Sequence, residues 1–379
     1  MAKRILYIYG GLYSPNGMSM MISQKVNYLA DNTDNQIYIV LTEHPEKKRV
    51  YTLSDKVFVK HLVVNFDDLD TMPFFKKVFF YFIKQYKYKK LLGQYMMELR
   101  PDVTVSVTRR EINFLNRIHD GSKKIAEIHF ARTFYRKFDK KILPSFINEW
   151  ISRKWMNSLI RNLKLLDRFI VLTDEDSYNW PELSNVMVIP NFVSSIPTQK
   201  SSCKNKKVIA VGRYSDQKGF DLLIKAWEHV FPVHPDWTLE IYGAGNNVAY
   251  QSLADSLNLS SAVHCNPAVS NINEKYAESA FFVLSSRYEG FCLVILEAMG
   301  AGLPVVSFAC PCGPRDVIDN GKNGYLAMNG SITDLADKIC YMIEHEDERI
   351  RMGEMAPKYS AKYNKVVIMN RWIDLFDSL

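Results

Sequence analysis

Glu289 and Glu297 stand eight positions apart in the stretch SSRYEGFCLVILEAMGAGLPVVS, residues 285–307. The second lies among Leu293, Val294, Ile295, Leu296, Ala298 and Met299, where a purely structural helix would carry one more apolar side chain. An unpaired buried charge is costly, so something polar is expected to meet Glu297. A pair of neighbouring hydroxyls, as on a ribose, is one such partner for a carboxylate. Gly290 allows a ligand close to the backbone, and a helix starting near Phe291 or Cys292 would point free N–H groups at the same place. Upstream, VGRYSDQKGFDLLIKAW sets Arg213 just after a strand and Lys218 five residues later, beside Gly219 at a helix start. Two cations around a strand-to-helix loop, backed by helix N–H groups, suit a diphosphate. Taken singly, each stretch also reads as solvated loop charge or a partly exposed helix carboxylate.

These residues need a frame, and the chain alternates short β-rich runs with helical patterns, the signature of parallel α/β layers. In the first half RILYIYG, QIYIVLT, VFVKHLVV, DVTVSV, KKIAEIH and RFIVLT read as strands, with helical stretches such as GMSMMISQKVNYLADNT between them. In the second half the strands are KKVIAVGR, TLEIYGAG, AVHCNP, FFVLSS and PVVSFAC, and FDLLIKAWEHVFPVHP and GFCLVILEAMGAG are the clearest helices. NFVSSIPTQKSSCKNKK, residues 191–207, is rich in Ser, Pro and Lys and is the predicted junction. Two doubly wound domains follow, over 1–193 and 194–356, with 357–379 a C-terminal helix crossing back to the first. Open parallel sheets bind ligands at the carboxyl ends of their strands, so two facing sheets would form a cleft.

The 379 residues suit two domains, and composition is that of a soluble globular protein. No stretch approaches the roughly 20 apolar residues of a membrane-spanning helix, and MAKRILYIYGG is too short in its apolar part for a secretory signal. The six cysteines lack tight metal spacing; Cys310 and Cys312 are only one residue apart, and all six are expected as reduced thiols of a cytoplasmic protein. Residues 1–200 hold 31 Lys and Arg against 20 Asp and Glu, whereas 201–379 hold 17 against 21. The first half is therefore expected to meet something anionic.

EGFCLVILEAMGAGLPVVS resembles the E-x7-E segment of the retaining family 4 glycosyltransferases, and VGRYSDQKGFDLLIKAW is similar to their GR…KG…L…A segment. IYGAGNN, VIPNFV and CGPRDVIDNGKNGYL match in the same order, so the resemblance covers most of residues 186–330. It implies the GT-B fold, two α/β Rossmann-like domains of doubly wound parallel sheets facing across a cleft. It also implies that Arg213 and Lys218 hold the donor diphosphate and Glu289 contacts the transferred sugar. The N–H groups of Gly290 and Phe291 would lie near the phosphates, and Glu297 would hold the ribose. His129, in AEIHFART, stands where family members carry an active-site histidine, which makes His129 and Glu289 the catalytic candidates. Gly17, in YSPNGMSMM, would open the first long helix under the donor. The chain departs from the family at Cys292, a common glycine, and at Met18, often a second glycine. GPRDVI, residues 313–318, resembles members that use UDP-sugars for surface polysaccharide assembly.

Retention without a bound metal or other cofactor is what the family implies. DLD, residues 68–70, and DED, residues 174–176, lie away from the strand ends a metal motif would occupy, and DED is predicted to cap a helix. PFFKKVFFYFIKQYKYKK, residues 73–90, has six lysines and no acid. On a helix, Phe75, Val78, Phe79, Phe82, Ile83 and Tyr86 form one stripe and are expected to be buried. Lys76, Lys77, Lys84 and Lys87, with Phe80, Tyr81 and Tyr88, would face an anionic membrane surface and the acceptor. RTFYRKFDKK, residues 132–141, continues that theme. The expectation is a retaining glycosyltransferase, peripheral at the inner face of a bacterial cytoplasmic membrane and serving lipopolysaccharide or capsule assembly. It would move a hexose or N-acetylhexosamine from a UDP-sugar to a glycan or an undecaprenyl-diphosphate-linked acceptor, with no nucleic-acid partner. The rivals are a non-catalytic nucleotide-sugar or glycan-binding protein and another GT-B enzyme such as an epimerase or a phosphorylase.

Overall fold

The first strand, β1 (Arg4–Tyr9), is apolar along nearly its whole length because neighbours cover both of its faces, as at the centre of a parallel sheet. The computed structural model describes residues 2–135, 144–194 and 197–379. They divide into two units: Met1–Leu172 with Ser177–Ile189 and Met369–Leu379, and Thr173–Asp176 with Pro190–Ile368. Residues 136–141 of the basic run 132–141, and 195–196 of the junction, lie outside the described residues.

The first unit adds β2 (Gln36–Leu41), β3 (Val57–His61), β4 (Val103–Ser106), β5 (Lys123–Glu127), β6 (Arg168–Val171) and β7 (Val186–Val188). Its seven strands are all parallel, in the order β3-β2-β1-β4-β5-β6-β7. Helices α1 (Gly17–Asn32), α2 (Phe74–Leu99) and α3 (Ser145–Leu163) form the layers around it, and α4 (Asp174–Tyr178) follows β6. The strand order reverses beside β1, which is where a doubly wound sheet opens a crevice at its carboxyl edge.

The second unit has β8 (Lys207–Val211), β9 (Thr238–Gly243), β10 (Val263–Pro267), β11 (Phe281–Leu284), β12 (Val305–Phe308) and β13 (Gly324–Ala327). These are parallel in the order β10-β9-β8-β11-β12-β13, so the reversal falls at β8. Its helices are α5 (Phe220–Val230), α6 (Asn247–Ser256), α7 (Ile272–Ala277), α8 (Leu293–Gly300), α9 (Pro314–Val317), α10 (Ile332–Glu344) and α11 (Glu346–Ala361). In α5 the buried Phe220, Leu223, Ile224, Trp227 and Val230 recur at helical spacing and make one core stripe. The final helix, α12 (Lys365–Ser378), ends in the segment that belongs to the first unit. There Trp372 is fully buried, and Arg371 bonds to the Val188 carbonyl.

Part of the predicted junction is packed structure. Ser201 N donates to Ala301 O, and the buried Arg349 donates to the carbonyls of Cys203, Met342 and Ile343. Arg349 thereby satisfies carbonyls in the last turn of α10, which would otherwise be left without partners. All six cysteines are free thiols, five of them buried. No helix among the described residues is long and apolar enough to cross a membrane.

Helix α2 overturns one expectation. The stripe predicted to be buried is exposed: Phe75 is 85% accessible, Tyr86 74%, Phe82 67% and Phe79 63%, with Val78 and Ile83 also in the open. The covered face is instead Tyr88, Leu92 and Met96, with Tyr81 packed partly against the same core. Lys84 lies on that inner side, donating to Val64 O at 2.7 Å, to Asn65 O, and to Asp68 at 3.0 Å; Lys87 donates to Val63 O. Lys77 pairs with Asp70, whereas Lys76 and Phe80 stay exposed. The helix has apolar residues on both sides, and its lysine stems cover protein surface while their ammonium groups cap loop carbonyls.

Candidate active site

In the second unit the loops after β8 and β11 meet because those strands are neighbours. Lys218 ends a short turn and Gly219 (φ +61°) starts α5; a Cβ on Gly219 would lie 2.1 Å from the Ser285 carbonyl, so only glycine fits. The Lys218 stem lies over Gly212, where an added Cβ would sit 3.1 Å from it. Lys218 Nζ reaches Glu289 Oε1 at 2.7 Å, and Ser286 Oγ donates to the same oxygen at 2.6 Å. Burial works against the Lys218 ammonium, but the Glu289 carboxylate more than offsets this and holds its pKa above the ordinary lysine value. Oε2 of Glu289 accepts no hydrogen bond among the described residues.

Beyond Glu289 come three amides, of Gly290, Phe291 and Cys292, that donate to no acceptor among the described residues. They immediately precede α8, so the chain presents free N–H groups beside the Lys218–Glu289 pair. The Cys292 side chain turns into the core: a Cβ on Gly313 would lie 2.6 Å from its sulfur, and burial pushes its thiol well above the ordinary range. Cysteine in place of the family's glycine therefore leaves the amide row open. Arg213 is exposed and free of ion pairs among the described residues, on a shallow cavity lined also by Tyr214, Gln217, Gly245 and Tyr288.

Among the described residues the Glu297 carboxylate receives one hydrogen bond, from Tyr276 OH to Oε2 at 3.4 Å. Burial raises its pKa, only partly countered by Tyr276 and by the Lys218 charge. A carboxyl raised in the folded state relative to the unfolded chain makes folding less favourable as it ionises. Stability is therefore expected to fall as pH rises from about 4.3, the ordinary glutamate value, through the raised value. Glu297→Gln is expected to lose that part of the decline in thermal melts taken across the window. Identical pH dependence in the two proteins would refute the assignment.

The first unit holds the other two sequence-derived candidates. Gly17 opens α1, capped by the Asn16 side chain accepting from Ser19 N at 2.9 Å, and a Cβ there would meet nothing within 4 Å. His129 follows β5 and lines a cavity with Met18, Arg109, Arg110, Tyr135 and Trp155. Its Nε2 lies 3.4 Å from Glu127 Oε1, and Glu127 Oε2 takes a 2.6 Å hydrogen bond from Lys25, both side chains being fully buried. Burial alone would raise the Glu127 carboxyl; Lys25 and His129 override it and hold its pKa at about 2. Met18, the second departure from the family pattern, is thus part of the wall around His129.

Several residues escaped the sequence reading. Arg287 clamps the Lys218 loop, bonding both oxygens of Asp221 at 2.9 and 2.7 Å and the Asp216 carbonyl at an adjacent point. Arg109 occupies the space over Gly10, where a Cβ would lie 2.1 Å from its Nη1. The pair Arg109–Arg110, placed directly after a strand, was the available signal. DED occupies the first turn of α4, and Thr173 Oγ1 accepts from Asp176 N at 3.0 Å. Glu43, His44 and Asp67 bring potential metal-ligand atoms within 4.8 Å of one another. Protein groups already engage them: Asp67 N donates to Glu43, Tyr13 OH donates to Asp67, and His44 Nδ1 sits 2.9 Å from Glu46.

Residues 195–359 match the glycosyl transferases group 1 family. The chain is 30% identical over 227 residues to an uncharacterised glycosyltransferase of Haemophilus influenzae, covering 57% of this chain and 64% of that one. It is 31% identical over 225 residues to a poly(ribitol-phosphate) α-N-acetylglucosaminyltransferase of Staphylococcus aureus, covering 58% and 46%. The chain thus spans less than two thirds of the length of these curated relatives. A crystal structure of a TarM mutant from S. aureus, in complex with fondaparinux, α-GlcNAc-glycerol and UDP, superposes with a TM-score of 0.73 at 18% identity, covering 99% of each chain. The two parallel Rossmann-like sheets are those of the GT-B fold.

Proposed function

We propose that this chain, a GT-B protein whose residues 195–359 match the group 1 glycosyl transferases, is a retaining, metal-independent glycosyltransferase using a UDP-sugar. The carrying observation is the conjunction, in the loops after β8 and β11 and the helix α8 that follows, of the Lys218–Glu289 contact, three undonated amides and the under-satisfied carboxylate of Glu297. A diphosphate would take the amides, Lys218 and Arg213, and a ribose would supply the hydroxyls that Glu297 lacks. The free Oε2 of Glu289 would accept from a hydroxyl of the transferred hexose or N-acetylhexosamine. For His129 the proposed role is contact with that sugar.

In the reaction, the bond between the anomeric carbon and the diphosphate oxygen breaks, and an acceptor hydroxyl forms the new glycosidic bond on the same face. The hydroxyl proton passes to the departing diphosphate. Fixed cations and amides lower the barrier because they are already aimed where negative charge develops. The acceptor is proposed to be a glycan, free or carried on undecaprenyl diphosphate, in cytoplasmic steps of cell-surface polysaccharide assembly. A relative named for transfer to poly(ribitol phosphate), and a structural neighbour crystallised with UDP, support this choice of donor and acceptor class.

A thermal-shift panel of UDP, GDP, ADP and their sugar conjugates tests the donor. Uridine ligands are expected to raise the melting temperature in proportion to their affinity, and Glu297→Ala to reduce that shift. No shift with any nucleotide, in protein that melts cooperatively, would sink the transferase reading. Release of UDP from the stabilising conjugate then separates an enzyme from a binding protein.

A further inference from the structure

We infer that the outward face of α2 is a membrane-docking surface that inserts its aromatic side chains into an anionic lipid interface. The observation is the reversal described above: Phe75, Phe79, Phe82, Ile83 and Tyr86 project from the unit instead of packing into it. At 100° per residue these positions share one side of the helix, opposite the covered Tyr81, Tyr88 and Leu92. From Phe75 to Tyr86 the stripe runs about 16 Å along the axis. A contiguous aromatic surface of this kind is exceptional on a monomer and marks an interaction site.

Charge selects the occupant. Lys76 flanks the stripe and Lys89 and Lys90 continue it towards the helix C-terminus; all three are exposed, with no ion pair among the described residues. No Asp or Glu occurs between Asp70 and Glu98. Protein–protein interfaces favour aromatic residues but deplete lysine. A second copy of this helix would bring no carboxylate to its lysines. An anionic bilayer satisfies both features at once, taking the rings at headgroup level while the lysines reach the phosphates.

Helix α3 also exposes aromatic side chains, although Glu149 lies between them. Phe146 and Trp150 are exposed there, and Lys154 lies 5.8 Å from the Trp150 ring centroid. Trp155 of α3 and Tyr81 of α2 line the same cavity as His129, so both helices border that cavity. The surface would hold the unit at the lipid interface beside it. This inference does not depend on the transfer chemistry, since a face can bind lipid whether or not a donor is turned over.

Sedimentation of the full chain with vesicles tests it, comparing phosphatidylglycerol–phosphatidylethanolamine with pure phosphatidylcholine. Binding to the anionic vesicles is expected, weakening in high salt and falling at least tenfold on neutral ones. The triple variant Phe75→Ser, Phe79→Ser, Phe82→Ser should abolish binding while its melting temperature holds or rises, because it removes only exposed rings. Lys89→Gln with Lys90→Gln should weaken binding by about fivefold for each lysine. Tyr178→Ser, at an exposed aromatic outside α2, should bind as the wild type does. Failure of the wild type to sediment with anionic vesicles would overturn the inference. So would a wild-type dimer in solution that the triple variant converts to monomer.

Discussion

Lys218→Met is expected to lower turnover by about 10²- to 10³-fold, the usual cost of losing one preorganised group that stabilises developing charge. Methionine keeps most of the hydrocarbon stem that lies over Gly212, so packing should survive. What disappears is the ammonium 2.7 Å from Glu289 Oε1, the positive end of the proposed diphosphate site. Glu289 would keep its bond from Ser286 but lose its cation. Steady-state release of UDP, read beside the thermal shift that UDP produces, distinguishes two outcomes. A large fall in kcat with a smaller loss of UDP stabilisation fits a group that acts mainly in the transition state. Turnover within threefold of the wild type would remove Lys218 from the mechanism.

The second large effect concerns stability in the first unit. Lys25→Ala is expected to cost about 3–5 kcal/mol, because it leaves the Glu127 carboxylate buried without its cation. Lys25 and Glu127 are both fully buried, 2.6 Å apart, and the Trp372 ring lies 4.4 Å from the Lys25 nitrogen. The double replacement Lys25→Met with Glu127→Leu should cost much less than either single change, since no charge is then stranded. The sign of the pH dependence follows from the depressed carboxyl. A folded pKa of about 2 contributes stability above the ordinary glutamate value of about 4.3, and that contribution is lost as pH falls from there through about 2. Denaturant unfolding from pH 6 to pH 2 should therefore show a steeper acid decline in the wild type than in the double variant. Equal slopes would mean that the pair contributes nothing to acid stability. Because Glu127 also faces His129, the same variants expose whether that imidazole keeps its position, through the pH profile of turnover.

Much of the second unit was legible in the residues themselves. The strands that carry the site are short β-rich runs, and Arg213, Lys218 and Glu289 sit at their carboxyl ends in the order the loops require. The reason is local: strand and helix periods, a glycine at positive φ, and a helix start all act within a few residues. The isolated carboxylate at Glu297 also announced itself, since its neighbours in sequence are its neighbours on the helix.

The first unit was read less well, at sites decided by long-range contact. Helix α2 has apolar residues on two sides, and periodicity alone does not say which side a distant core covers. That choice rested on Tyr88, Leu92 and Met96 meeting residues such as Leu62, Val64 and Phe114, and on Lys84 and Lys87 finding loop carbonyls about twenty positions upstream. His129 was a lone histidine in the sequence; its partner Glu127 is tied to Lys25, 102 positions away. Arg109 likewise gained meaning only when β4 came beside β1 and set it over Gly10. What the amino-acid order determined by itself was the alternation of elements and the strand-to-helix loops that carry Arg213, Lys218 and Glu289, because these follow from short-range sterics and capping. Which faces are covered, and which charges are buried together, only the tertiary structure decided, because burial and ion pairing are set by segments far apart in the chain.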